Sequence, residues 1–143
     1  MGDIIETKIY VDVSKIVNRV ESLVDEKLML EVHKLFEKMC VPYVPMDEGL
    51  LFQNVNITSE YVQYTQPYAH YMYNGELYLT KDGRAFAHLG EKKYPTGIPL
   101  NYNLEKHKLA SKEWDKAMMT AEGEKFIKQV KDLMVRRAKE LYG

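Results

Sequence analysis

Residues 4–40 read IIETKIYVDVSKIVNRVESLVDEKLMLEVHKLFEKMC, and the apolar side chains change period inside this stretch. Ile5, Thr7, Ile9, Val11 and Val13 recur at every second position, which predicts a strand over residues 4–13 with one face against a core. From Lys15 onward, Ile16, Val20, Leu23, Val24, Leu28, Val32, Leu35, Phe36 and Met39 fall on one helical stripe. Ser14 stands at the switch as the expected N-cap. Pro42 is expected to stop the helix near Cys40, because the residue before a proline resists helical backbone. A helix over residues 15–40 is roughly 40 Å long at ~1.5 Å per residue. His33, beside Val32, reads as a helix-surface histidine, since no second ligand stands at a helical spacing from it.

The rest of the chain decides how this strand and helix are completed. VPYVPMDEGLL (41–51) is an ordered loop with two prolines and a glycine. Its adjacent Asp47 and Glu48 diverge rather than forming a catalytic pair, and Asp47 suits a cap or turn. LFQNVNI (51–57) and EYVQYT (60–65) read as strands joined by Thr58-Ser59. QPYAHYMYNG (66–75) fits a short helix opened by Pro67 and ended by Asn74-Gly75, although its tyrosine spacing also fits a strand. ELYLT (76–80), the turn Lys81-Asp82-Gly83 and RAFAHL (84–89) predict a β-hairpin. Residues 90–107 have little pattern and read as a loop, long for a domain of this size.

Two helices close the chain. One spans residues 111–119 with Ser111 as cap. The other spans residues 121–142, with Phe126, Ile127, Val130, Leu133, Met134, Ala138 and Leu141 on one stripe and Lys and Arg opposite. Strand, long helix, strands, then helices is an α+β order. The expectation is one α+β domain over residues 1–143, its antiparallel sheet packed on a long N-terminal helix and a C-terminal helix. A β-hairpin projects from it, with a hairpin and loop insertion at about residues 76–106.

Length and composition agree with one ordinary globular domain: 143 residues, 45% hydrophobic and 29% charged. Cys40 is the single cysteine, which excludes an internal disulfide and a Cys-based zinc site. No stretch approaches the ~18 apolar residues of a membrane span, so no membrane partner is expected and the chain reads as soluble and intracellular. A net charge of −1 gives no global pull toward nucleic acid. The distribution is less even, with 11 acidic and 6 basic side chains in residues 1–60 against 8 acidic and 12 basic in residues 91–143. Such a split suits head-to-tail contact between copies, or simply a solvated helix surface.

Residues for chemistry are sparse. His33, His70, His88 and His107 are dispersed and form none of HxH, HxxxH or HExxH, and there is no GxGxxG and no Walker-type loop. Cys40 at a helix C-terminal end is placed against thiolate formation. Tyr61, Tyr64, Tyr68, Tyr71, Tyr73 and Tyr78 could stack bases, but residues 61–90 hold only Lys81 and Arg84 as cations, so packing or a protein interface is the better reading. No enzyme activity and no cofactor are expected.

Three segments in order carry a resemblance. They are YVPMDEGLL with Val44, Pro45, Gly49 and Leu50, then PYAHYMYNG with Pro67, Tyr68, Ala69, Tyr73 and Gly75, and finally HKLASKEWDKAM with Trp114. Together they resemble the minor capsid and tail-completion proteins of long-tailed bacteriophages, over residues 15–143. His107-Lys108 stands where that pattern has His-Pro, and the 76–106 segment is longer than in the plainest members. The resemblance implies a structural virion protein made in the host bacterial cytoplasm. Its expected role is a ring-forming neck subunit that completes the tail or joins head to tail. The expected partners are further copies of itself, neighbouring neck and tail proteins and, non-specifically, passing DNA. Expected contact residues are Lys81, Asp82 and Gly83 at the hairpin and Lys128, Lys131, Arg136 and Arg137 on the last helix. The rivals are a small enzyme using His70, His88 and Asp47, and a host-directed binding module encoded by a phage.

Overall fold

A computed structural model describes residues 7–13, 24–46, 50–66 and 68–143, without the side chains of Leu50 and Phe52. Strand β1 (Thr7–Ile9) pairs antiparallel with β3 (Val62–Tyr64), which pairs antiparallel with β2 (Val55–Ile57), in the order β1-β3-β2. Helix α1 (Glu26–Cys40) and helix α4 (Trp114–Tyr142) pack together, and this sheet lies with them in one apolar core. The α+β expectation therefore holds, with a separate two-stranded hairpin as its projecting part.

The apolar stripe is interrupted just ahead of α1. Asp25 has extended backbone (φ −118°, ψ 177°) and its Oδ1 accepts the Leu28 N–H at 2.9 Å, so α1 starts at Glu26. The expected continuous helix over 15–40 is thus interrupted at Val24–Asp25, and its C-terminal part is a helix of 15 residues. Asp25 competes successfully with the continuous stripe because its side chain both caps α1 and pairs with Arg137. The Ser14 cap, Asp47 and residues 15–23 lie outside the described residues. At the other end, Pro42 follows the last turn of α1 and sits in a 3-10 turn, Val41–Tyr43.

His33 is corrected outright, because it is fully buried rather than on the helix surface. Its Nε2 accepts the Val11 N–H at 3.2 Å and its Nδ1–H donates to the Met29 carbonyl at 2.8 Å. An N–H can only donate, so Val11 fixes the neutral Nδ1–H tautomer. The imidazole therefore takes a backbone N–H just past the end of β1. Burial pushes its pKa down, with the Met29 carbonyl opposing.

The remaining elements are set by local chemistry. Residues Leu50–Gln53 form a short helix, α2, ahead of β2, so the expected 51–57 strand is only half strand. The β2–β3 connection is held by Thr58, whose Oγ1 accepts the N–H groups of Glu60 and Tyr61 at 3.1 Å each. The two expected C-terminal helices are present as two helical segments of the span Trp114–Tyr142, meeting at a kink at Glu122 (φ −133°), the first starting at Trp114 rather than at residue 111. Ser111 does not cap it, since its hydroxyl donates to the Lys112 carbonyl.

Helix α3 (Ala69–Asn74) leads through Gly75 into β4 (Glu76–Thr80), as the short-helix reading expects. The partner of β4 is β5 (Lys93–Pro99), not residues 84–89. KYPTGIP looks like a loop because of Pro95, Gly97 and Pro99. As one strand of a two-stranded ribbon it tolerates prolines, and a register shift between Glu76 and Tyr78 absorbs the mismatch. Part of the expected 90–107 loop is therefore strand, and Lys81-Asp82-Gly83 opens a 12-residue tip, 81–92, rather than forming the whole reversal.

Candidate functional site

The ribbon β4–β5 forms an arm, and its root is tightly built. Gly75 ends α3 in the left-handed region (φ 71°), which favours glycine. A Cβ there would also stand 2.7 Å from Lys112 Cβ, so the position demands glycine twice. The returning chain is tied to α3 by three hydrogen bonds: Leu100 N–H to the Gly75 carbonyl at 2.9 Å, the Tyr102 hydroxyl to the Met72 carbonyl at 2.6 Å, and Glu113 N–H to the Tyr73 carbonyl at 2.7 Å. Two more tie it to the core, Ser111 N–H to the Tyr43 carbonyl at 3.0 Å and His107 Nδ1 to the Val44 carbonyl at 2.8 Å. Both ends of the arm are therefore fixed to the subunit.

Aromatic rings secure the side of the arm that meets α3. Tyr71 lies 3.7 Å from His70 and 4.8 Å from Tyr78 between ring centres, and Lys93 Nζ is 4.4 Å from the Tyr71 ring. Leu79 and Tyr94 are register partners, so they share a face of the ribbon. That face holds an open cleft of about 480 Å³, also lined by Lys81 and Thr96.

The tip is organised by charge. Arg84 donates from Nε to Asp82 Oδ2 at 2.9 Å and from Nη2 to Glu91 Oε2 at 2.6 Å, while Glu91 Oε1 accepts the His88 N–H at 3.0 Å. The Arg84 guanidinium, helped by the Thr80 hydroxyl, holds the Asp82 carboxyl down to about 2. The Glu91 carboxyl is also lowered, by the His88 N–H first and then by Arg84. With these polar groups turned on one another, Phe86 is left 64% exposed and Leu89 99% exposed.

Beneath the root, Trp114 is fully buried, with Tyr64 of β3 and Tyr73 of α3 each edge-on at 5.0 Å. The Tyr73 hydroxyl donates to Asp115 Oδ1 at 2.7 Å, and burial together with that carboxylate pushes its pKa up. Val44, Pro45 and Ala69 are buried, Tyr68 is 39% exposed, and Gly49 and Pro67 lie outside the described residues. Leu50 opens α2. Burial first, then Asp115 and Glu37, pushes the Cys40 thiol far up, which leaves it unreactive.

The residues singled out for contact are split by the structure. Lys81, Asp82 and Gly83 are exposed at the tip, with Asp82 engaged by Arg84. Lys128, Lys131 and Arg136 are exposed on α4. Arg137 is not with them: its side chain is 14% exposed and joins Asp25 at the start of α1 and Glu140 on α4, and Lys27 joins the same Glu140 at 2.8 Å. Sequence reasoning missed β5 and the Asp82–Arg84–Glu91 set, whose signal was a cation two residues after one acid and seven before another. His70 sits at the root and His88 at the tip beside Phe86, and no group of three metal-ligating side chains occurs among the described residues.

A family model described as minor capsid protein matches residues 7–136, which takes in the sheet, α1, the arm and most of α4. The chain belongs to the minor capsid protein family. It is a structural component of a phage virion, and the family is not one of enzymes. No curated protein and no solved structure matches this minor capsid protein. As a virion protein it has other phage structural proteins for partners, and no described helix is long and apolar enough to cross a membrane.

Proposed function

We propose that this minor capsid protein is a ring-forming subunit of the phage neck, completing the tail or joining head to tail. The observation that supports the reading is the arm. Phe86, Leu89, Tyr94 and Ile98, with Leu104 and Leu109 on the return, are each at least half exposed, while Leu28, Val32, Phe126 and Val130 between α1 and α4 are fully buried. A two-stranded ribbon is marginal in water on its own, and apolar side chains gathered on one projection mark a surface that another protein covers. A root fixed by five hydrogen bonds keeps that surface in a set direction, which lowers the ordering cost of docking. Neighbouring subunits and the adjoining neck or tail proteins are the fitting partners, and the exposed cations of α4 face one of these or passing DNA.

The test replaces Leu89 and Tyr94 by Asp in the phage. The expected result is a folded protein and DNA-filled heads that fail to join tails, seen by electron microscopy of the lysate. Particles of normal yield and infectivity, with the double variant incorporated, would rule this role out.

A further inference from the structure

The two edges of the arm are finished differently, and its prolines show how. In a strand the N–H and C=O of one residue point to the same side, and the side alternates along the chain. Pro95 stands opposite Tyr78 and Pro99 opposite Glu76. A hydrogen-bonded antiparallel pair exchanges two N–H···O bonds, which a proline cannot do, so in both pairs the backbone groups point away from the partner strand. Neighbouring bonds follow the same alternation. The Gly75 carbonyl accepts the Leu100 N–H at 2.9 Å and the Leu77 carbonyl accepts the Thr96 hydroxyl at 2.7 Å, both on the β5 side. Thr80 faces outward with Glu76 and Tyr78, but its own turn takes it up. Its N–H donates to the Arg84 carbonyl at 2.8 Å and its carbonyl accepts the Gly83 N–H at 2.9 Å. The outer edge of β5 therefore lacks donors at Pro95 and Pro99. The outer edge of β4 keeps the N–H and C=O of Glu76 and Tyr78, which bond to no described residue, and no third described strand joins the ribbon. The Glu76 carboxylate is used within the arm by the Gly97 N–H, so backbone is what this edge offers.

We propose that this edge pairs with the same edge of a second copy, the two β4 strands running antiparallel about a twofold axis at Leu77. The free groups set the register. Glu76 of each copy stands opposite Tyr78 of the other, and the four N–H···O bonds so formed use every free group of both edges. A register centred one residue on, at Tyr78, would set Glu76 against Thr80, whose groups are already spent in the turn. The available window is short, ending at Thr80 on one side and at helix α3 on the other. An equally short edge that matches itself fills it completely, which favours a second copy over a longer foreign strand. An unpaired edge without lysine or proline, such as ELYLT, is a ready template for such pairing. The joined sheet has four strands in place of a marginal two, and it gathers Leu77, Leu79 and Tyr94 of both copies on one face. The contact is isologous and closes at two copies, so it stands independently of the ring reading.

Disulfide trapping of the purified full chain tests the pairing. Across the twofold the two Leu77 residues form a non-hydrogen-bonded pair, with Cα atoms ~4.5 Å apart and within disulfide reach. Leu77→Cys is compared with Leu89→Cys, which lies on the same arm at a fully exposed position and reports chance collision. Cys40 is fully buried and stays silent. Mild oxidation should link Leu77→Cys copies into a dimer at least tenfold faster than Leu89→Cys copies. Equal rates, or no link from a folded Leu77→Cys chain, would overturn the proposal. Adding Tyr78→Pro to Leu77→Cys removes an outward N–H that β5 does not use, and should cut the linking rate at least tenfold. Linking at an undiminished rate in that folded variant would exclude backbone pairing. Tyr78→Pro also loses the ring contact with Tyr71, so the wild type supplies a second reading. The N–H groups of Glu76 and Tyr78 should exchange with solvent more slowly as protein concentration rises, while that of Thr80, bonded within its own turn, keeps its rate. Exchange at Glu76 and Tyr78 that ignores concentration would also overturn the pairing. In assembled particles, a link from Leu77→Cys to a different virion protein in place of the dimer would give the edge to a foreign strand and overturn the second copy as its occupant.

Discussion

The core and the arm treat their large side chains in opposite ways. Around α1 and α4, Leu28, Val32, Trp114, Phe126 and Val130 are fully buried, and Phe36 and Phe126 meet edge-on at 5.6 Å. On the arm, Phe86, Leu89, Tyr94 and Ile98 stay at least half exposed, and order comes from hydrogen bonds at the root and ion pairs at the tip. A region held by apolar burial should respond to cavities. A region held by backbone ties should respond to backbone geometry and tolerate changes at its outer side chains. The division of labour suits a structural subunit, whose core need only persist while its projection meets others.

The largest expected effect breaks the core. Trp114→Ala removes a ring packed between Tyr64 and Tyr73 and should cost ~3–5 kcal/mol, a large part of a domain's stability. Chemical denaturation followed by circular dichroism measures it. Leu89→Asp on the arm should change the same midpoint by less than ~0.5 kcal/mol. Equal losses for the two would mean that the arm is part of the cooperative core and the contrast is false.

Next comes the root. Gly75→Val meets both a left-handed backbone and Lys112 Cβ at 2.7 Å, so a loss of ~1–3 kcal/mol is expected. Gly83 is also at positive φ (88°) but has open space around it, and Gly83→Asn should be nearly neutral because asparagine tolerates that region. Hydrogen exchange should show the Gly75→Val variant loosening Leu100 and Glu113, whose N–H groups bond to Gly75 and Tyr73, ahead of α1. Faster exchange in α1 first would contradict a root that acts locally.

What the sequence revealed follows the same division. The α1 stripe of Leu28, Val32 and Phe36 is legible because a core helix must repeat its apolar positions. Trp114 is legible as a lone large ring ahead of a helix. β5 is not, since Pro95, Gly97 and Pro99 each argue against a strand, and only the edge position of a two-stranded ribbon excuses them. The break ahead of α1 was hidden because Asp25 lies between Val24 and Leu28, on an unbroken stripe, and its cap on Leu28 is supported by pairing with Arg137, over a hundred residues away. His33 follows Val32 at the edge of that stripe, so periodicity alone assigns it no certain face.

A smaller effect sharpens the account of the core. The His33 pKa is lowered by burial, and the native state holds the neutral ring because Nε2 must accept from Val11. The unfolded chain therefore binds a proton that the folded chain does not. Stability contributed by the neutral ring is complete above the ordinary histidine value of ~6.5, falls as pH drops below it, and levels off beneath the depressed value. The denaturation midpoint of the wild type should fall across that window. His33→Gln, which can also accept from Val11, should flatten this part of the profile. An unchanged pH profile in that variant would assign the dependence to other groups.

The smallest folding effect is expected on the outer face of α4, and it separates two neighbouring arginines. Arg136 is exposed, as are Lys128 and Lys131, whereas Arg137 joins Asp25 and Glu140 and so links the C-terminal end of α4 to the start of α1. Reversing Lys128 and Lys131 to Glu should leave the denaturation midpoint where it is. Arg137→Glu should lower it, because Asp25 loses its cation, Glu140 keeps only Lys27, and both then face a third carboxylate. Assembly should rank the other way. If the outer cations meet a neighbouring copy, the Lys128→Glu, Lys131→Glu variant should weaken the oligomer without DNA present. Wild-type association should also decline with salt as the Debye length shrinks from ~10 Å at 0.1 M to ~3 Å at 1 M. Oligomer mass indifferent to both changes would remove these cations from the subunit contact, leaving the apolar arm as its source and the outer face of α4 to other partners.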